Sequence, residues 1–327
     1  MKSEMVGKAR RDALGLVSSL SSGFWAARKA YQAQKNYKGR PRETSFPFVS
    51  SDTFRAIADL VIPAQAEPGI LERIPYPDKP AVIKVELGFL KDKGGIGPLR
   101  AWLEGAAAST GGNQKLILHT HDWVPAAEDL ASFVEAGATV YCPNVLDYIP
   151  GVVPIPVGLE NLTRRKNGVL DDYLLSYDRM REFPARLPKK TNMLFASFKI
   201  GTNEKAREPL ALALEKSRFG FSYKRLKMSD NRRQVIKSHF VLSPPGNGPD
   251  CYRTWESIYL GAVPIVLEGS LAHSIYEDLP IWVVENWDEA IGASDSELLS
   301  RYQYLINKSK EKAFFPFWQR KIREALV

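Results

Sequence analysis

The run from His239 to Gly269, HFVLSPPGNGPDCYRTWESIYLGAVPIVLEG, gathers residue types suited to holding a charged ligand. Its pattern predicts a strand, a Gly/Pro-rich loop, a helix, a short turn and a second strand. Gly246 and Gly248 carry no side chain, so the backbone of the loop Pro244–Asp250 can approach a ligand closely. A helix N-terminus follows at once and offers partial positive charge to a phosphate. Arg253 and Glu256 stand three apart and share a face one turn inside that terminus. Arginine grips phosphate with two bonds, and a carboxylate accepts from ribose hydroxyls. The same spacing also describes an ordinary exposed Arg–Glu helix pair.

A second cluster is Leu116–Pro125, LILHTHDWVP. His119 and His121 alternate with period two, so both face one side at the carboxyl end of a strand, and Asp122 enters the loop beyond. Ligands of open α/β sheets gather at such ends. Three readings compete: contact with an organic substrate, structurally satisfied histidines, and metal ligation as in a hydrolase, with His239 and His273 as further nitrogen donors. Several chemistries are excluded. The chain has no G-x-x-x-x-G-K-[ST] phosphate loop, no G-x-G-x-x-G after a strand, no Asp-x-Asp and no G-x-S-x-G elbow.

The elements that must position these residues follow an alternating order. In the first half, strand-like runs fall at Ala81–Leu87, Lys115–His119, Thr139–Cys142 and Val152–Val157, with a helix over Ala126–Ala136. An earlier helix, N-capped by Ser51 or Asp52, carries Phe54, Ile57 and Val61. In the second half, strands at Asn192–Ser197, Phe221–Leu226, Phe240–Ser243, Val263–Leu267 and Ile281–Val284 alternate with helices. Those helices span Asn203–Lys216, Asn231–Ser238, Tyr252–Leu260 and Ser270–Glu277. Such alternation predicts parallel α/β sheets. The organisation expected is a basic tail over 1–45, an acceptor-side α/β unit over 46–185, a nucleotide-sugar-binding α/β unit over 186–295, and helices over 296–327 that cross back to the first unit. The charged stretch Thr163–Pro188 serves as linker.

With 327 residues, 44% hydrophobic and 11% aromatic, the chain can bury two cores and is not predominantly disordered. No charge-free apolar run approaches the roughly 18 residues of a spanning helix. Cys142 and Cys251 are too few for a disulfide scaffold and read as buried thiols in a reducing compartment. Residues 1–42 hold ten basic side chains against Glu4 and Asp12, which is the whole formal charge of +8, so the remainder carries 35 of each sign. The excess therefore argues for a charged tail and against a nucleic-acid-binding body. Within the tail, Leu16, Leu20, Phe24, Ala27 and Tyr31 form one helical stripe between basic clusters. That pattern fits contact with an anionic membrane surface, a docked helix without membrane role, or a poor signal segment.

The stretch 239–284 resembles the nucleotide-sugar-binding half of exostosin-like glycosyltransferases. The likeness lies in the strand, the Pro/Gly loop, Arg253 and Glu256 on the helix, and Gly261, Pro264 and Ile265 beyond it. Upstream, LILHTHD, the Pro143–Asn144 pair and PIPVGLEN at 154–161 look like the first half of short bacterial members, and MLFASF at 193–198 followed by Arg207 is similar to the first donor-side strand and its arginine-bearing helix. The similarity covers roughly residues 80–290, and Thr120 departs from the family's pattern after the first histidine. The resemblance implies an α/β fold of two Rossmann-like domains facing across a cleft, the GT-B type. It also implies a glycosyltransferase that moves a sugar from a nucleotide-sugar donor, UDP-linked, to a glycan or lipid-linked acceptor in cell-surface polysaccharide synthesis. On this reading the transfer is inverting, with no cofactor and no metal. Donor-binding residues are Arg253, Glu256, Gly246, Gly248, Asp250, Ser197 and Arg207, and the catalytic candidates are Asp122, His121 and His119. The chain would be cytoplasmic, peripheral on the inner face of the membrane, with no nucleic-acid partner. A metal-dependent hydrolase using His119 and His121, or a non-enzymatic sugar- or nucleotide-binding protein, are the alternatives.

Overall fold

The computed structural model describes residues 44–119, 122–162, 170, 173–174, 189–219, 221 and 226–326. The basic tail, His121 and most of the linker thus lie outside the described residues. Nine strands are described: β1 (Leu60–Ile62), β2 (Val82–Val85), β3 (Gln114–Ile117), β4 (Ala138–Cys142), β5 (Val152–Pro154), β6 (Asn192–Phe195), β7 (Ser238–Leu242), β8 (Val263–Leu267) and β9 (Trp282–Val284). The main helices are α1 (Ser51–Ile57), α2 (Ile96–Thr110), α3 (Ala127–Glu135), α4 (Glu204–Lys216), α5 (Met228–Lys237), α6 (Tyr252–Tyr259), α7 (Asp295–Ile306) and α8 (Phe315–Glu324).

The strands form two sheets, one of five strands in the order β1-β2-β3-β4-β5 and one of four in the order β6-β7-β8-β9. Every pairing is parallel, with Ile83 opposite Leu116 in the first sheet and Val241 opposite Pro264 in the second. Parallel strands are covered on both faces, which explains why they read as continuous apolar runs. In the first sheet Ile83, Val85, Leu116 and Val140 pack against Leu99, Leu103, Leu130 and Phe133 of α2 and α3. On the opposite face Val82, Ile117 and Tyr141 meet Phe54 of α1 and Phe315, Trp318 and Ile322 of α8. In the second sheet Phe240, Leu242, Ile265 and Trp282 pack on Leu210, Leu214, Leu298 and Leu305. Its other face brings Val241 and Val266 to Trp255, Ile258 and Tyr259 of α6, in a cluster that also takes Phe48, Val157 and Leu159 from the first unit. The two units therefore share a core. Among the described residues no helix is long and apolar enough to cross a membrane.

Several elements differ from their sequence expectation. The cap of α1 is Ser50, one residue before the expected position: its Oγ accepts from Thr53 N at 3.3 Å while Thr53 Oγ1 accepts from Ser50 N at 2.9 Å. The expected cap Asp52 instead accepts from Leu162 N at 2.7 Å. Helix α2 has no sequence forecast, because Gly97, Pro98 and Gly105 dilute its stripe, and three-residue β1 is too short for alternation to register. In the expected strand Phe221–Leu226, Phe221 lies outside any strand and residues 222–225 fall outside the described residues. The helices expected over 296–327 are two, α7 and α8, separated by a turn around Lys308–Phe314.

Candidate functional site

The loop Ser243–Asp250 leaves the carboxyl end of β7 and leads directly into α6. Neither Gly246 nor Gly248 has positive φ, so conformational freedom is not what either supplies. A Cβ at 246 would sit 3.2 Å from Arg207 Nη2, so glycine there makes room for a guanidinium. The Gly246 N–H is turned inward to Gly248 O at 3.0 Å, and its carbonyl accepts from Asn203 Nδ2 at 2.8 Å. The Gly246 amide is thus not open to a ligand: the loop is braced by its own bonds and by the N-cap of α4, where Asn203 Oδ1 also accepts from Ala206 N.

Arg207 projects from α4 onto this loop and is buried. Its Nε donates to Pro245 O and its Nη1 to Lys199 O, both at 2.8 Å. Main-chain carbonyls orient a guanidinium without cancelling its charge. Burial, and next the neighbouring charge of Arg253, bring the Arg207 pKa down to about 10. Both arginines lie over the Phe198 ring, at 5.8 Å for Arg207 and 6.0 Å for Arg253, and Phe221 packs on that ring at 4.8 Å. Helix α4, the β6 exit and α6 thus converge on one aromatic ring and place two cations side by side. Ser197 is half-buried in the same β6 exit.

Glu256 sits one turn along α6 and is half-buried. Burial pushes its pKa up, against the pull of the Arg253 charge and, more weakly, that of Arg232. Asp250 faces another way. Its carboxylate is buried and accepts from Val157 N at 2.9 Å and from Trp255 Nε1 at 2.8 and 2.9 Å. Its own N–H donates to Asn144 Oδ1 at 2.9 Å. Burial raises its pKa to about 7, partly offset by those bonds. Asp250 was expected to touch the donor; its carboxylate is instead spent on joining the two units.

On the first unit, Asp122 is exposed and accepts from Asn247 Nδ2 at 3.2 Å, so the loop after β3 meets the loop after β7. His119 is buried, with Nε2 3.2 Å from Pro156 O and its ring 5.1 Å from that of Phe54. The inward turn reflects the apolar cover that α1 lays over this sheet face. The other described histidines have separate surroundings: His239 bonds to Asn192 O, and His273 pairs with Glu277. Among the described residues no group of three or more His, Cys, Asp or Glu could hold a metal ion. Asn203, Asn247, Phe198 and Trp255 also take part in the site; of these Asn203, at a helix start, and Phe198, at the end of the MLFASF run, carry a sequence signal.

Fold and site together define a two-sheet parallel α/β protein with an arginine pair at the carboxyl end of its second sheet and, from the first, an exposed carboxylate that accepts from the adjoining loop. No protein-family model matches the chain, and no curated protein does so either.

Proposed function

We propose that the chain is a glycosyltransferase of the exostosin-like, GT-B type, with the second unit holding a UDP-sugar and the first presenting a glycan or lipid-linked acceptor. The observation that carries this reading is the Arg207–Arg253 pair, two neighbouring guanidiniums whose mutual repulsion a bound dianion relieves. A diphosphate supplies that charge, and the N-terminus of α6 adds to its hold. In the reaction, an acceptor hydroxyl attacks the anomeric carbon and its proton passes to Asp122. The bond to the diphosphate oxygen breaks with both electrons leaving on that oxygen. The arginines stabilise the departing charge as it develops. Glu256 holds the ribose. The alignment of Asn247 with Asp122 supports this division, since it brings base and cradle loops together. The basic tail would hold the protein against the inner face of the membrane, close to a lipid-linked acceptor.

A thermal-shift panel of UDP, GDP, CMP and ADP, each with and without EDTA, tests the reading. A ligand at about 100 times its dissociation constant adds about 2.7 kcal/mol. The expected result is stabilisation by UDP, unchanged by EDTA and weakened at least tenfold in affinity by Arg253→Ala or Arg207→Ala. The absence of any nucleotide shift in the folded protein overturns it. A large loss of stability on EDTA alone would favour the hydrolase, and sugar binding without turnover the binding protein.

A further inference from the structure

One peptide group joins the two halves of the site through bonds on its opposite edges. The carbonyl of Pro156 lies 3.2 Å from His119 Nε2, and the N–H of Val157, across the same peptide bond, donates to Asp250 Oδ2 at 2.9 Å. A carbonyl only accepts, so Nε2 carries the proton in this arrangement. Each bond polarises the peptide in the sense that strengthens the other. At the far end Trp255 Nε1 donates to the same carboxylate, and Asn144, held at φ 63°, takes the Asp250 N–H. His119 is 3% and Asp250 4% exposed, so neither presents its polar atoms to a substrate. Yet Asp122 follows His119 by three residues, and Arg253 follows Asp250 by three.

We propose that His119 and Asp250 are positioning residues which, through the Pro156–Val157 peptide, fix the separation between Asp122 and the arginine pair. The catalytic consequence rests on the transferase reading; the fastening itself does not.

The test compares Asp250→Ala, Asp250→Asn, His119→Ala and His119→Gln in the full chain. Glutamine can offer its amide N–H where His119 Nε2 donates, and asparagine keeps an oxygen for Val157. Three quantities are read: hydrogen exchange at the Val157 amide, affinity for UDP, and release of UDP from UDP-hexoses. Both alanine variants are expected to speed exchange at Val157 at least tenfold and to lower kcat for UDP release at least tenfold, while UDP affinity stays within about twofold. His119→Gln and Asp250→Asn are expected to recover most of both losses. Unchanged exchange at Val157 in the alanine variants, glutamine behaving like alanine, or an unaltered kcat would each overturn the proposal. If the parent protein neither binds UDP nor releases it, the transferase reading fails, and the exchange measurement alone still decides whether the fastening exists.

Discussion

Replacing Asp250 by asparagine removes a proton-binding site from the shared core, and its effect on stability has a calculable pH dependence. Folding lifts this carboxyl from an ordinary value of 3.8 to about 7. The folded state therefore keeps the proton over a range in which the unfolded chain has released it. Stability from this group is greatest below about pH 4, falls as pH rises towards 7, and is constant above. A gap of about three pH units, at about 1.36 kcal/mol each, amounts to about 4 kcal/mol, a large part of a typical domain's stability. The assay is urea unfolding of parent and Asp250→Asn proteins at intervals from pH 4 to 8. Groups common to both, including Glu256, whose pKa burial also raises, cancel in the difference between them. The parent is expected to lose about 4 kcal/mol relative to the variant across that range. A difference that moves by less than about 1 kcal/mol would refute the argument that burial outweighs the bonds from Val157 and Trp255.

Two glycines give further checks. Gly158 has φ 64°, and a Cβ there would lie 2.1 Å from Val49 O, a backbone atom with no freedom to retreat. Gly158→Ala is expected to cost roughly 3 kcal/mol or more in urea unfolding, and an unchanged midpoint would count against the described approach of these chains. Gly246→Ala pushes only on the end of the Arg207 side chain. It is expected to weaken UDP binding about three- to tenfold, with stability altered by less than about 1 kcal/mol; equal losses of both would contradict the role given to that glycine.

The strands buried on both faces were the most legible part of the fold, and Val263–Leu267 matches its expected span to the residue. Alternation needs length and contrast, which β1 and α2 lack. In the site, helical spacing was enough to place Arg253 beside Glu256, since local geometry alone decides it. What Asp250 does was not legible: its partners Val157 and Asn144 stand 93 and 106 positions away, and only the packed chain brings them near. Gly246 was recognised as a position where size matters, but the close neighbour is Arg207 of another helix. His119 shows the same limit. Period two gives the face of a strand and leaves open whether that face is covered, and here α1 and Phe54 cover it.

The packing of α8 on the first sheet bears on how the protein is made. Asn113 Nδ2 donates to Ala325 O across 212 positions, and Arg323 Nη2 to Ile57 O across 266. As the polypeptide leaves the ribosome, Val82, Ile117 and Tyr141 emerge long before Phe315, Trp318 and Ile322, which cover them. Most of the second unit, by contrast, is contiguous and has its own strands and helices in hand earlier. The unit begun first is thus completed last, and a growing chain carries an apolar sheet face covered only by α1 through most of its synthesis. Such a face is where a nascent-chain chaperone finds purchase, and closure of the C-terminal helix is the step that ends its exposure.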